Sequence, residues 1–130
     1  AAAPASTEMT IRVGFAGLSH LGLVSAAALA SRGVPVVGFD PDAAAVAAIA
    51  RRDLPVVEPG LPELIAGSTR PIFTANAADL RACDVVYLAL DVATDDAGQS
   101  DLDPFKRLID VVWPHVGPEA TLVVLIIRIR

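Results

Sequence analysis

The sequence predicts a single-domain α/β fold with a doubly wound parallel sheet. Short apolar runs alternate with helical patterns along the chain, and this alternation is typical of parallel strands with helices on both faces. Residues 84–90 are apolar almost throughout, as expected for a strand that is covered on both sides. The length of 130 residues fits one domain, and a hydrophobic fraction of 54% can supply its core.

The first three predicted elements are a strand, a helix and a strand, over residues 11–16, 20–31 and 34–39. The helix carries an apolar stripe at helical spacing, made of Leu21, Val24, Ala28 and Leu29. Gly33 is expected to end this helix, because glycine readily takes the left-handed conformation found at helix ends. Asp40 then stands at the carboxyl end of the second strand.

The same alternation continues to the end of the chain. Short helices are predicted over residues 42–52, 61–66 and 77–81, and strands over residues 72–74, 84–90 and 122–127. Between the last two strands, a polar loop over residues 91–101 leads to a helix that Asp103 caps, and Gly117 stops this helix. Trp113 is expected at the edge of the core. The predicted strand order is 3-2-1-4-5, with the first strand in the centre.

The turn between the first strand and the first helix resembles a phosphate-binding motif. Residues 17–22 align with G-x-G-x-x-G, except that Ser19 replaces the second glycine. Gly17 permits the tight turn, and Gly22 permits close packing of helix and strand. Ser19 is expected to weaken the motif, because its side chain takes up space near the pyrophosphate. The helix start still offers free N–H groups to phosphate, which favours a Rossmann-like domain.

Asp40 identifies the cofactor that the turn would bind. A carboxylate at the end of the second strand can accept hydrogen bonds from the adenosine ribose hydroxyls, and it would repel a 2′-phosphate. The next residues, Pro41 and Asp42, bring no basic group. The sequence therefore predicts NAD rather than NADP. The alternative is that the glycines only form a tight turn and Asp40 only ends a strand.

Composition and charge argue against several other classes. The net charge is −5 and no basic cluster exceeds the pair Arg51-Arg52, so a nucleic-acid partner has little support. No apolar run reaches the roughly 18 residues of a membrane span. The lone Cys83 cannot form an intrachain disulfide and is expected to be a buried structural thiol. The acidic residues after the fourth strand lack the spacing of a calcium loop, so no metal is expected.

The two ends of the chain carry further expectations. Residues 1–9 are expected to be a disordered extension or a vector-derived remnant, with the dinucleotide-binding domain over residues 10–130. These first residues do not have the pattern of a signal peptide, so a cytoplasmic location is the default expectation. Apolar residues near the last strand would favour self-association if they are exposed, so a homo-oligomer stays an open alternative.

Four stretches make the sequence similar to the N-terminal domain of the UDP-glucose/GDP-mannose dehydrogenase family. They occur in the family's order at residues 13–24, 36–42, 58–64 and 94–102. The segment Glu58-Pro59-Gly60-Leu61 is the most specific, because a generic dinucleotide-binding domain has no reason to carry it. The resemblance extends from Met9 to about Leu125. It implies oxidation of the C6 hydroxyl of a nucleotide-sugar to a carboxylate, with NAD as the oxidant.

The resemblance also implies where the cofactor lies. The pyrophosphate is expected at the glycine turn and the adenosine ribose at Asp40, so the cofactor-binding candidates are Gly17, Ser19, His20, Leu21, Gly22, Asp40 and Val92. Three departures weaken the match. Ala45 stands where the family has a lysine, and Val92 stands where the family has a cofactor-contacting threonine. Arg128 stands near the position at which the family has a serine-containing pair. The family's catalytic cysteine lies in later domains, so no catalytic residue is expected here.

Three hypotheses remain open from the sequence. The chain is the NAD-binding domain of a nucleotide-sugar 6-dehydrogenase, whose substrate binds only in a full-length context, and it is silent as an enzyme by itself. Alternatively, the losses at Ser19, Ala45, Val92 and Arg128 indicate a degenerate binding or scaffold module. A 3-hydroxyacid-type dehydrogenase is the third hypothesis, but it leaves the Glu58-Pro59-Gly60-Leu61 segment unexplained.

Overall fold

Five parallel strands form one sheet in the computed structural model, which describes residues 10–55, 58–67 and 70–129. The predicted extension over residues 1–9 lies outside the described residues. The strands are β1 (Val13–Ala16), β2 (Val36–Phe39), β3 (Ile72–Thr74), β4 (Val85–Ala93) and β5 (Thr121–Ile129). Their order is β3-β2-β1-β4-β5, and each neighbouring pair is parallel. The predicted order and the Rossmann-like doubly wound fold are confirmed.

Within the described residues, four α-helices connect the strands: α1 (His20–Ser31), α2 (Ala43–Ala50), α3 (Leu61–Ala66) and α4 (Asp103–Val112). Two short 3-10 helices in the same part of the chain, Ala77–Ala82 and Trp113–His115, add to the connections. The end of α1 follows the prediction, because Gly33 has a φ of +87° directly after the helix cap. The side chain of Asn76 caps the first 3-10 helix, also as predicted.

Alternate residues of the strands face two helical layers. Val13 and Phe15 of β1 pack with Ala26 and Ala30 of α1 on one face of the sheet. On the other face, the core contains residues of β1, β2, β4, α4 and the first 3-10 helix, namely Ala16, Phe39, Ala77, Leu80, Val86, Leu88, Leu108 and Val112. The period-two alternation of a strand therefore sends successive side chains to opposite layers.

The buried face of α1 differs from the predicted stripe. Leu23, Ala26, Ala27 and Ala30 are buried, whereas Ala28 of the predicted stripe is exposed and its other members are only half-buried. The helix is apolar on nearly all sides, so periodicity alone could not identify the face that meets the sheet. Small alanine side chains contact the strands because they allow the helix to approach closely.

Three other expectations are corrected. β4 continues to Ala93, and Thr94 then bridges Ser100, so the predicted loop begins later. Leu102 occupies the cap position of α4, and Asp103 is the first helical residue. Trp113 is 63% exposed rather than at the edge of the core, because it begins the 3-10 helix that leaves α4.

No helix among the described residues has the combined length and apolar character that crossing a membrane requires. No group of three or more His, Cys, Asp or Glu side chains in the same residues is arranged to hold a metal ion.

Candidate cofactor site

The turn after β1 is held in a conformation that requires glycine at both ends of the motif. Gly17 has a φ of +100°, and its N–H donates to the carbonyl oxygen of Phe39 over 2.8 Å. A Cβ at Gly17 would overlap the carbonyl oxygen of Ala89 in β4, and a Cβ at Gly22 would overlap the carbonyl oxygen of Gly17. The two glycines thus bring the start of α1 directly against the sheet.

Ser19 occupies the cap position of α1 with φ −77° and ψ −163°, a conformation open to any residue. Its carbonyl oxygen accepts the first helical hydrogen bond, from Leu23 N–H at 2.9 Å, but its hydroxyl caps no helix N–H. The Ser19 Oγ atom is buried and has no hydrogen-bond partner among the described residues. The hydroxyl is therefore turned into the protein rather than out towards solvent.

The start of α1 is the positive end of a helix that carries no acidic residue in its own first turn. The first N–H groups of a helix have no partner within the helix, and here they include those of His20, Leu21 and Gly22. No acidic side chain lies in the first turn of α1. A helix of twelve residues with this end open has the electrostatic character that attracts phosphate.

Asp40 follows β2 and lies beside this turn. Its Oδ2 atom accepts a hydrogen bond from Leu18 N–H at 3.0 Å, and its Oδ1 atom accepts one from Asp42 N–H at 2.9 Å. The two contacts fix the carboxylate in one orientation and connect it to the glycine turn. Each carboxylate oxygen keeps a further lone pair, so the group can still accept hydrogen bonds from ligand hydroxyls.

A cleft of about 170 Å³ lies between these features. It is lined by the turn, the residues after β2, the middle of β4 and the first half of α4, through Gly17, Leu18, Ser19, Asp40, Pro41, Ala89, Leu90, Pro104 and Leu108. This is the carboxyl edge of the sheet at the point where strand order reverses, which is where ligands bind in open α/β sheets. Larger cavities lie elsewhere on the molecule, but neither is lined by the glycine turn or by Asp40.

The Glu58-Pro59-Gly60-Leu61 segment is attached to α1 at two points. Glu58 Oε2 and His20 Nε2 are 3.2 Å apart, and Leu61 is 1% exposed and packs with Leu18 and Leu23. Sequence reasoning missed the contact between His20 and Glu58. The two residues are 38 positions apart, so no local spacing could have indicated it.

The structure brings most of the predicted site residues together, but not all. Gly17, Ser19 and Asp40 line the cleft, while His20 and Leu21 are in the first turn of α1. Val92 lies further along β4, is 2% exposed, and does not line the cleft. Its assignment to the cofactor site stays a prediction.

The fold changes the acidity of the Cys83 thiol. Burial raises the pKa of its thiol; the nearby Arg12 opposes this rise and Asp84 adds to it. Cys83 is 4% exposed, in the core cluster that includes Leu80 and Val86. It is a free thiol and does not line the cleft, so the expectation of a buried structural thiol is confirmed.

The fold, the glycine turn and the acid after β2 together define a dinucleotide-binding domain of the Rossmann class. The chain belongs to the UDP-glucose/GDP-mannose dehydrogenase family, and it corresponds to the family's NAD binding domain, which matches residues 11–126. NAD is accordingly the cofactor of this domain. The match favours the first of the three sequence-based hypotheses over a 3-hydroxyacid-type dehydrogenase.

Individual relatives agree with this membership. The chain is 27% identical over 110 residues to the UDP-glucose 6-dehydrogenase TuaD of Bacillus subtilis, covering 82% of this chain and 24% of that protein. It is 28% identical over 123 residues to the GDP-mannose 6-dehydrogenase of Pseudomonas savastanoi pv. phaseolicola, covering 91% of this chain and 28% of the relative. The chain thus spans about a quarter of the length of these relatives.

A solved structure shares the fold. The UDP-glucose dehydrogenase of Pyrobaculum islandicum superposes with a TM-score of 0.79 at 24% identity, over 97% of this chain and 31% of that one.

Proposed function

We propose that this chain binds NAD in the cleft at the carboxyl ends of β1 and β2, beside the middle of β4, as the cofactor-binding part of a nucleotide-sugar 6-dehydrogenase. The pyrophosphate lies over the open start of α1, at His20, Leu21 and Gly22. The adenosine ribose lies against Asp40. NAD supplies the acceptor for a hydride, and the chain's own residues bind and orient it.

The observation that carries the proposal is the hydrogen bond from Leu18 N–H to Asp40 Oδ2. It joins the phosphate-binding turn to the ribose-binding carboxylate, so both parts of one dinucleotide meet preset partners. NAD binding therefore costs less side-chain entropy than it would if the carboxylate were mobile. The same negative charge disfavours the 2′-phosphate of NADP.

Ser19 is compatible with this arrangement. Its backbone does not need glycine, and its hydroxyl is buried away from solvent. The steric conflict expected from the sequence is therefore smaller than a serine facing the phosphates would produce. The degenerate-module hypothesis still has one observation in its favour, which is that Val92 lies in the core and offers the cofactor no hydroxyl.

Calorimetric titration of NAD⁺ and NADP⁺ into the purified chain tests the proposal. We expect saturable binding of NAD⁺ alone. Asp40→Ala is expected to weaken NAD⁺ binding at least about ten-fold, equivalent to about 1.4 kcal/mol. Asp110→Asn changes an exposed acid on α4 and serves as the matched control. Absence of NAD⁺ binding at millimolar concentration would contradict the proposal.

Ser19→Gly separates the two hypotheses about the turn. An NAD⁺ affinity that rises ten-fold or more would identify a real but weakened cofactor cleft. No binding by either the parent chain or the variant would support the module instead. A modest change, with binding in both, is the result expected from the buried hydroxyl.

The substrate, the enzymatic activity and the location of the protein are further parts of the proposal. A nucleotide-sugar is expected to bind only in a full-length context, because this chain spans a quarter of its relatives. Its one cysteine is buried, so we expect no NADH absorbance when NAD⁺ and UDP-glucose are added. Steady turnover would refute this expectation. A free thiol suits a reducing compartment such as the cytoplasm.

A further inference from the structure

A second cavity lies at the opposite edge of the sheet from the cofactor cleft. It has a volume of about 230 Å³ and is formed where β1, β2 and β3 begin and where α1 ends. Its walls are mainly aliphatic, made by Ala30, Val34, Pro35, Val36, Val37 and Ile72. None of these residues belongs to the cofactor cleft.

Two arginine residues, Arg12 and Arg70, also line this cavity, and no acidic residue does. Both are exposed, and no carboxylate among the described residues forms an ion pair with either guanidinium. Asp84 does not line the cavity, but it accepts a hydrogen bond from the backbone N–H of Arg12 at 2.8 Å, so its negative charge offsets part of the positive charge of Arg12. In a chain of net charge −5, the cavity is a locally positive site.

The apolar wall beside the arginines is open to solvent. Ile72 is 67% exposed, more than any other large hydrophobic side chain among the described residues. It lies on β3, the edge strand of the sheet. A ligand that satisfied the whole cavity would therefore combine an anionic group with an apolar or planar body.

We propose that this cavity is a binding site for a phosphate monoester carried on an apolar or aromatic group. Guanidinium groups match phosphate with paired hydrogen bonds and retain their charge at every ordinary pH. The ester's organic group would cover Ile72 and the valine-rich wall, where removal of apolar surface from water is favourable. The site is separate from the proposed cofactor cleft and does not depend on it.

The competing explanation is that the arginines only offset the negative carboxyl end of α1. Two of the last carbonyl groups there already have backbone partners, because Arg32 N–H donates to Leu29 and Gly33 N–H donates to Ala30. Backbone capping therefore leaves the guanidinium groups of Arg12 and Arg70 available.

Titration of phenyl phosphate into the isotopically labelled chain, followed by NMR, tests the site. We expect saturable shifts at the amides of Gly33 and Ile72. Affinity is expected to fall at least five-fold in both Arg12→Ala and Arg70→Ala, and to stay unchanged in Arg107→Ala, which removes an exposed arginine from α4. Inorganic phosphate is expected to bind more weakly than the ester.

Four results would overturn the proposal. One is the absence of saturable binding, and another is equal affinity in all three variants, which would place the anion elsewhere, for example at the start of α1. Equal affinity for inorganic phosphate would remove the role of the apolar wall. A lower melting temperature in the arginine variants, with ligand binding unchanged, would support the helix-end explanation.

Discussion

Gly22 lies against the carbonyl oxygen of Gly17, and this contact sets how closely α1 approaches the sheet. The Cβ of Gly22→Ala would overlap that oxygen, and the backbone on both sides is already packed. We expect the free energy of unfolding to fall by about 3 kcal/mol, as in overpacked cores, and NAD affinity to fall with it. Urea unfolding measures the first quantity and calorimetry the second.

Gly117→Ala is the matched control for this substitution. A Cβ at Gly117 would meet only the carbonyl oxygen of Arg81, at an ordinary contact distance of 3.6 Å. We expect its stability to stay close to that of the parent chain. Equal stability of the two variants would contradict the packing role assigned to Gly22.

Burial protects Cys83 chemically as well as sterically. Because burial raises the pKa of its thiol, the folded chain has less reactive thiolate at pH 8 than a free cysteine. We expect alkylation by iodoacetamide to be slow in the folded chain and fast in urea. Rapid labelling of the folded chain would show that the thiol is accessible.

The raised pKa of Cys83 also makes the stability of the folded chain depend on pH. The folded-state pKa lies above the unfolded value, so the contribution of Cys83 to stability is fully present below the unfolded pKa. It is lost as pH rises through the folded pKa, in the alkaline range. Cys83→Ala is expected to remove this part of the alkaline loss.

At the scale of elements, α2 depends strongly on Asp42, the residue that caps its start. The Asp42 Oδ1 atom accepts hydrogen bonds from the N–H groups of Ala44 and Ala45, at 3.0 and 3.1 Å. The helix is only eight residues long and buries only Ile49, so packing contributes little. Asp42→Ala is expected to lower the free energy of unfolding by about 1 kcal/mol. Chemical denaturation is the measurement.

Asp42→Asn keeps a side-chain acceptor at the same place and is the control. Since Asn caps helices about as well as Asp, its stability should stay near that of the parent chain. If both variants lost the same stability, the charge of Asp42 rather than its hydrogen bonds would be responsible.

At the scale of the whole molecule, β5 is a free edge. Within the described residues it pairs only with β4, and Val124 and Ile126 are both more than 40% exposed. On the other face, Leu125 joins a groove with Leu29 and Tyr87. An exposed apolar edge strand promotes association, so we expect concentration-dependent self-association in size-exclusion chromatography at two concentrations.

Ile126→Lys is expected to shift this equilibrium towards monomer, because a charge on an edge strand opposes pairing. Val111→Lys places the same charge on α4, at another exposed hydrophobic residue, and should leave the equilibrium unchanged. A monomer at both concentrations would contradict the role of β5.

The sequence by itself determined the strand order, the tight turn at Gly17 and Gly22, and the place of Asp40 at the carboxyl end of β2. These features follow from local patterns, namely hydrophobic periodicity, glycine positions and strand ends, which one stretch of chain contains completely. Asp40 follows β2 and the glycine turn follows β1. The two lie at the same edge of the sheet, because the carboxyl ends of neighbouring parallel strands meet there.

Only the tertiary structure decided which side of α1 meets the sheet, where β4 ends, and that His20 contacts Glu58. It also brought Arg12 and Arg70 to one cavity. Each of these depends on contacts between segments distant in sequence, and on packing between surfaces that are apolar on several sides. Local patterns leave such choices open, because several helix faces and strand lengths satisfy the same periodicity equally well.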